Sequence, residues 1–147
     1  MKSKLILMCI MVAIPLCLLA CLPAPKQVSV NVSRDDFNKE QHFSQEVEVA
    51  VDGSLTLTLY SCPSEGRQWS EPAQISDQTV LQQTDHKFVM PEAEGDMPPP
   101  PGTPGQEVWT FKALKAGKST ISMEYTHPWE GGEEEPMLTF ALTVVVK

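Results

Sequence analysis

Two side chains on loops that are predicted to be neighbours could combine for nucleophilic chemistry, the thiol of Cys62 as the nucleophile and the imidazole of His127 as its base. A catalytic thiol is activated by a neighbouring base or by the N-terminus of a helix, and a third group usually orients the base. The segments around Cys62 and His127 have the composition of loops, and their spacing indicates neither a third group nor a helix start. The sequence therefore predicts a protein that is not an enzyme.

The same side chains are poor candidates for a metal site. Structural zinc sites pair their ligands at short spacings of the CxxC or HxxxH kind, and neither spacing occurs here. The acidic run from Glu130 to Glu135 lacks the regular oxygen-ligand spacing of a calcium loop. We interpret this run as a solvated turn, and we predict neither a metal nor a cofactor.

Another cysteine, Cys21, lies in a sequence typical of a lipid acceptor. The apolar stretch from Leu5 to Ala20 follows two lysines and is shorter than a comfortable membrane span, which suits a secretory signal peptide. Leu18-Leu19-Ala20-Cys21 matches the lipobox of bacterial lipoproteins. We therefore predict a signal peptide over 1–20, cleavage before Cys21, and a palmitate-type lipid on that residue. Such a chain would be anchored to the cell membrane or outer membrane, outside the cytoplasm.

A transmembrane anchor with a chance cysteine is the alternative to the lipobox. It is disfavoured because Pro23 and Pro25 would break the helix soon after it. Of the four cysteines, Cys62 alone lies outside the predicted signal and acylation site, so a monomer would have no internal disulfide. We predict such a monomer.

The charge of the chain limits its partners. Eleven Lys and Arg against nineteen Asp and Glu give a formal net charge of −8, and removal of Lys2 and Lys4 with the signal makes the chain more acidic. Nucleic-acid binding needs clustered Lys and Arg, so this balance argues against it. It also argues against a chain that lies flat on anionic lipid.

The chain after the signal is predicted to be all-β. Apolar residues alternate over 47–51 and 55–59, and Asp52-Gly53 between them predicts a two-stranded hairpin. Shorter strands are predicted at 69–75, 79–82, 86–90, 108–114, 119–125 and 138–146. Seven or eight such strands indicate an immunoglobulin-like β-sandwich over 43–147. Residues 21–42 are predicted to be a lipidated tether, although the alternating Val28, Val30 and Val32 would also suit a docked edge strand.

Three segments interrupted by Gly and Pro are candidates for one binding surface, because alternate loops of a sandwich gather at one end. They are 61–69, 102–105 and 125–130. Their prolines restrict the backbone before binding and their glycines permit close approach to a partner. Trp129 would be an aromatic anchor of the interface. The alternative is a set of ordinary turns with a core tryptophan at a strand end.

The order and spacing of these segments resemble the chagasin family of cysteine-protease inhibitors over about residues 43–147. The family motifs Asn-Pro-Thr-Thr-Gly-(aromatic)-x-Trp, Gly-x-Gly-Gly and Arg-Pro-Trp are similar to Cys-Pro-Ser-Glu-Gly-Arg-Gln-Trp at 62–69, Gly-Thr-Pro-Gly at 102–105 and His-Pro-Trp at 127–129. The resemblance implies a first loop that enters the cleft of a papain-family cysteine protease, braced by the other two. The inhibitory residues that it implies are Cys62, Pro63, Ser64, Glu65, Gly66, Gly102, Thr103, Pro104, Gly105, His127, Pro128 and Trp129.

The sequence departs from the family pattern at five positions. Cys62 replaces Asn, Glu65 replaces the second Thr, Arg67 replaces an aromatic residue, Pro104 replaces Gly and His127 replaces Arg. These changes leave open a non-inhibitory envelope-binding or structural module on the same fold, and a lipoprotein that regulates a protease of its own cell.

Cys62 itself has two interpretations. Its thiol would either form a mixed disulfide with an oxidised or sulfenylated target protease, which supplies the oxidising equivalents, or turn back to support the loop as a small buried residue.

Overall fold

The computed structural model describes residues 23–93, 95, 97–127 and 135–147, and within these ranges it has two β-sheets. The first sheet has the order β1-β3-β7-β6, formed by β1 (Gln27–Val32), β3 (Ser54–Ser61), β7 (Gly105–Ala113) and β6 (Leu81–Val89). The second has the order β2-β9-β8-β4, formed by β2 (His42–Val49), β9 (Leu138–Val146), β8 (Gly117–Thr126) and β4 (Gln68–Trp69), with β5 (Gln74–Ile75) also paired to β8. A short helix α1 (Arg34–Lys39) and a 3-10 turn (Pro63–Glu65) complete the described elements.

One hydrophobic core draws on both sheets. Inward and outward residues alternate along β3, β7 and β9, as expected where one face of a strand is buried. The largest fully buried side chains are Trp69, Trp109, Tyr125, Phe111 and Phe140. The prediction of an all-β sandwich is confirmed.

The predicted hairpin over 47–59 is wrong. β2 pairs in parallel with β9 in the second sheet, whereas β3 pairs with β1 and β7 in the first. Asp52, with φ of 61°, and Gly53 carry the chain from one sheet to the other. A Cβ on Gly53 would lie 2.7 Å from the carbonyl oxygen of Ala50, so only glycine fits this crossing. The alternation specified which face of each strand is buried, but not which strand lies beside it.

Two other predicted segments differ from the structure in their boundaries. The predicted strand over 69–75 is divided into β4 and β5, with Pro72 between them, a residue that has no N–H for a ladder. The strands predicted at 79–82 and 86–90 are one strand, β6, whose register shifts between Gln83 and Asp85. The last three predicted strands correspond to β7, β8 and β9.

Part of the predicted tether is folded into the domain. β1 pairs in parallel with β3, from Gln27 opposite Ser54 to Val32 opposite Leu59, so the edge-strand interpretation is confirmed. The helix α1 follows, capped by Ser33, and its Phe37 is buried against the core. The free part of the segment is therefore much shorter than 21–42. Cys21 and the predicted signal peptide lie outside the described residues.

The sandwich has two ends that differ in the segments they contain. Ser61 pairs with Gly105 and Tyr125 pairs with Leu138 at one end, which we call the loop end. The opposite end, which we call the N-terminal end, contains Pro23 to Lys26, the Asp52-Gly53 crossing, the turn between β7 and β8, and Lys147. In the part of the chain that the structure describes, no helix is long and apolar enough to cross a membrane.

Candidate functional site

The first loop has an exposed tip on a buried base. Cys62 is only 3% exposed, whereas Pro63, Ser64 and Glu65 are exposed and form the 3-10 turn. Proline suits the first position of such a turn because its φ is already fixed. The N–H of Glu65 donates to the carbonyl of Cys62 at 3.0 Å, and Gly66 closes the turn with φ of 76°, a conformation that favours glycine.

The second loop contacts the first through one carbonyl group. The Ser64 hydroxyl donates to the carbonyl oxygen of Gly102 at 3.2 Å, and Cys62 Sγ lies 3.8 Å from the same oxygen. Cys62 Sγ is also 3.2 Å from Ser64 Oγ. The structure thus shows Cys62 turned towards its own loops, the supporting role that was one of its two interpretations.

The second loop is a tight turn in which the two glycines have different roles. Thr103 donates to the carbonyl of Pro100 from its N–H and from its hydroxyl, at 3.1 and 2.6 Å. Gly102 is exposed and has φ of 86°. Gly105 is buried, and a Cβ there would lie 2.5 Å from Phe88 Cζ. Gly105 therefore serves packing between β7 and β6 within the domain rather than the predicted approach to a partner.

The base of the third loop lies beside the first loop. β4 pairs with the end of β8, with Gln68 opposite Thr126 and Trp69 opposite Tyr125. Tyr125 Oη accepts the N–H of Cys62 at 2.9 Å. His127 follows β8 directly and is half-buried, while Pro128 and Trp129 lie outside the described residues. The structure therefore brings the described parts of all three predicted loops to one end of the sandwich.

Trp69, the tryptophan of the first loop, belongs to the core. It is 2% exposed, and its indole N–H donates to the carbonyl of Tyr60 at 2.8 Å. Its ring centroid lies 5.1 Å from that of Tyr125 and 5.5 Å from that of Phe37. The alternative of a core tryptophan at a strand end thus applies to Trp69. Trp129 stays a prediction.

A hydrogen-bonded series of polar residues, buried at Ser61 and Glu107 and exposed at Glu71, holds the strand that leads to the first loop, and the sequence analysis did not identify it. Ser61 Oγ donates to Glu107 Oε1 at 2.7 Å, and Glu107 Oε2 is 2.8 Å from His86 Nε2. His86 Nδ1 lies 3.3 Å from Glu71 Oε2, which also accepts the indole N–H of Trp109 at 2.9 Å. A serine next to Cys62 is therefore fixed to both β7 and β6. The signal for this series in the sequence was Glu107, which interrupts the otherwise apolar inward face of β7.

A groove beside the second loop is a further feature that the sequence did not reveal. It encloses about 320 Å³ and is lined in part by Arg34, Tyr60, Met90 and Pro104. The Arg34 guanidinium lies 5.4 Å from the ring centroid of Tyr60. Burial, followed by the charge of Glu65, raises the pKa of Tyr60 to about 12, and its hydroxyl has no hydrogen-bond partner among the described residues. The outward position of Tyr60, two residues before Cys62, could have suggested it.

The described residues show no arrangement that would hold a metal ion. Within these ranges no group of three or more His, Cys, Asp and Glu side chains comes together in the required way. The chemistry of the loop end is that of a binding surface, with exposed polar and proline residues on a buried frame.

The fold and the site together are those of an all-β sandwich that brings the described parts of three loops to one end. The model of the chagasin family of peptidase inhibitors matches residues 48–144, and the chain belongs to this family. No curated protein matches the chain.

Solved structures share the fold. The cysteine protease inhibitor EhICP2 from Entamoeba histolytica has a TM-score of 0.62 and 22% identity, over 84% of this chain and all of that one. Amebosin, known from a solution structure, has a TM-score of 0.54 and 20% identity, over 82% of this chain and 98% of that one. PbICP-C, solved in complex with falcipain-2, has a TM-score of 0.54 and 17% identity, over 83% of this chain and 99% of that one.

Proposed function

We propose that the chain inhibits papain-family cysteine proteases by placing its first loop in the active-site cleft, braced by the second and third loops. Membership of a peptidase-inhibitor family supports this, as does the description of EhICP2 as a cysteine protease inhibitor. The observation that carries the proposal is the exposed tip from Pro63 to Glu65, whose base is fixed by Gly102 on one side and by Tyr125 on the other. A preorganised loop loses little conformational entropy on binding.

Inhibition of this kind works by occupancy. The tip needs no reactive group, and the thiol of Cys62 is buried within the domain. The hydroxyl of Ser64 already donates its hydrogen to Gly102, but its oxygen retains capacity to accept a hydrogen bond. Ser64 would therefore present an acceptor to the imidazole of the target. Glu65 is exposed at the tip, and its charge would weaken binding to a protease whose catalytic thiolate stays charged and dry.

The second part of the proposal is a lipid anchor on Cys21, outside the cytoplasm. The polypeptide enters the described domain at the N-terminal end, opposite the three loops. An anchor attached there would leave the loop end accessible to a protease. The same lipobox that predicts the anchor also predicts removal of residues 1–20.

The inhibitory function is tested by titrating residues 23–147 against a panel of papain-family proteases and measuring inhibition constants. Trp129→Ala should weaken inhibition by about 2 kcal/mol or more, the size expected of an interface aromatic. Lys115→Ala, at the opposite end, is the matched control and should leave inhibition unchanged. Loss of stability in Trp129→Ala with retained inhibition would make Trp129 a structural residue. A chain that inhibits none of the panel would favour the envelope module on the same fold.

The anchor is tested separately by metabolic labelling with a fatty acid. The unmodified chain should be labelled and processed, whereas Cys21→Ser should be neither, because a serine hydroxyl does not replace the thiol that accepts the lipid. Equal labelling of both forms would contradict the lipobox interpretation without affecting the inhibitory function.

A further inference from the structure

The lysines of this acidic chain are concentrated at the N-terminal end of the sandwich. Lys26 precedes β1, Lys112 lies near the end of β7, Lys115 is in the turn that follows, Lys118 is the second residue of β8 and Lys147 follows β9. Ladder pairs between Lys112 and Ser54 and between Lys118 and Val145 fix the strand ends to this region. All of these lysines except Lys112 are exposed. Five of the chain's cations therefore share the end from which the N-terminal segment leaves.

The carboxylates near this end offset only part of that charge. Lys118 Nζ lies 2.9 Å from Glu46, and Lys147 contacts Glu48. Asp52 and Asp77 are the other acidic residues of the region. Lys112 donates to the backbone carbonyl of Asp52, and Lys26 to that of Val51 at 3.4 Å, so neither uses its contact to neutralise a carboxylate.

The rest of the chain is strongly acidic by comparison. After residue 22 the sequence has only four other Lys and Arg, against fifteen other Asp and Glu. The charge of the molecule is thus divided, with a slightly cationic N-terminal end and a remainder that is strongly anionic. Net charge alone conceals this division.

The segment between Cys21 and Pro25 is too short to keep the N-terminal end of the sandwich far from a membrane that holds Cys21. The carbonyl of Pro25 accepts the N–H of Ala50 at 2.8 Å, so residue 25 is already fixed to the domain. Four residues beyond Cys21 span at most about 14 Å when fully extended. This reach is comparable to the screening length of about 8 to 10 Å at ordinary ionic strength. A lipid on Cys21 would therefore hold the lysines within electrostatic range of the headgroups.

We propose that the N-terminal end docks on anionic phospholipid headgroups, such as phosphatidylglycerol, of the membrane that holds Cys21. This inference rests on the lipid anchor of the proposed function. Each lysine near an anionic surface favours docking by about fivefold, the four carboxylates at this end oppose part of that effect, and the strongly acidic sides of the domain are repelled. The domain would therefore stand on this end, with its three loops directed away from the membrane, rather than lie flat.

The test separates docking from lipidation in the cell. A chain that begins at Cys21 retains every described strand. The thiol of Cys21 is coupled to a maleimide lipid in vesicles of phosphatidylcholine, with or without phosphatidylglycerol, while the thiol of Cys62 is buried. An amine-reactive reagent then labels the exposed lysines, and mass spectrometry measures the labelling rate at each. Lys39 and Lys87, which are exposed elsewhere on the domain, are the internal controls.

Phosphatidylglycerol should slow the labelling of Lys26, Lys115, Lys118 and Lys147 at least about twofold relative to the two controls, and high salt should abolish the difference. The double variant Lys115→Gln and Lys118→Gln should reduce the protection of Lys26 and Lys147. The matched double variant Lys39→Gln and Lys87→Gln should retain it.

Two results would overturn the inference. Equal protection of the controls and the N-terminal lysines would mean that the domain lies on its side. Identical labelling with and without phosphatidylglycerol would mean that no docking occurs. Because the coupling is chemical, neither result depends on whether a cell acylates Cys21, which the fatty-acid labelling decides.

Discussion

Removal of the Tyr125 hydroxyl should weaken the first loop without disturbing the core. In Tyr125→Phe the buried ring still packs against Trp69, but the buried N–H of Cys62 loses the oxygen that it reaches at 2.9 Å. A buried donor left without a partner costs about 1 to 3 kcal/mol. We therefore expect the free energy of unfolding to fall by about 1 to 2 kcal/mol. Inhibition should weaken as well, because the base of the first loop loses its hydrogen bond from Cys62 to Tyr125 of β8, although the pairing of β4 with β8 remains.

Tyr60→Phe is the matched control for this prediction. Tyr60 lies at the same end of the sandwich, and its hydroxyl is buried with no hydrogen-bond partner among the described residues. Its removal should leave stability unchanged or slightly higher, because no hydrogen bond is lost. Unfolding is followed by tryptophan fluorescence in denaturant, and inhibition by a protease assay with each variant. Equal stability and equal inhibition in Tyr125→Phe and Tyr60→Phe would refute the view that the Tyr125 hydroxyl positions the first loop.

Three further predictions concern the same end of the molecule. Gly105→Ala should destabilise the domain by about 2 kcal/mol or more, because its Cβ would lie 2.5 Å from Phe88. Gly102→Ala should cost only about 1 kcal/mol, because the only obstacle there is the positive φ of that residue. Similar denaturant midpoints for the two variants would contradict this. The Cys62 thiol should react with a water-soluble disulfide reagent only after unfolding, since it is 3% exposed, and rapid reaction of the native domain would revive the mixed-disulfide hypothesis. Burial raises the pKa of Tyr60 to about 12 and also raises that of Tyr125, so the folded state keeps two protons that the unfolded chain loses near pH 10. Stability should therefore fall as the pH rises above about 10, and phenolate absorbance near pH 10 should be lower in the folded domain than in the unfolded chain.

The fold class was predictable because the alternation of apolar and polar residues within a single strand is enough to identify that strand. In β9, every second residue is apolar and buried, so its bounds agree with those predicted from the pattern. The pattern is local, however, and pairing is not. Asp52-Gly53 has the sequence of a hairpin turn, but the two strands that it connects, β2 and β3, belong to different sheets. The close contact between Gly53 and the carbonyl group of Lys26 exists only once β1 lies beside β3, which the local pattern does not reveal.

The loop end was predictable in its position and less so in its detail. Order and spacing indicated three loops together, and the described parts of all three do lie at one end. The sequence did not distinguish Gly102, which takes a positive φ, from Gly105, which is needed for packing. It also gave no partner for His86, because the contact with Glu107 joins two strands that are separated by a long connection.

Three of the five departures from the family pattern fall into two kinds once they are placed on the structure. Cys62 is buried in the loop base, where its N–H and its sulfur contact Tyr125, Ser64 and Gly102, so the change from asparagine acts on how the loop is held. Glu65 and Pro104 are exposed, so they would meet a target directly. A change in potency from Cys62 should therefore be accompanied by a change in stability. A change caused by Glu65 should depend on salt and on the charge of the protease cleft, with the stability of the inhibitor unaffected. The charge at the tip, more than the cysteine beneath it, is thus the feature expected to select among papain-family proteases.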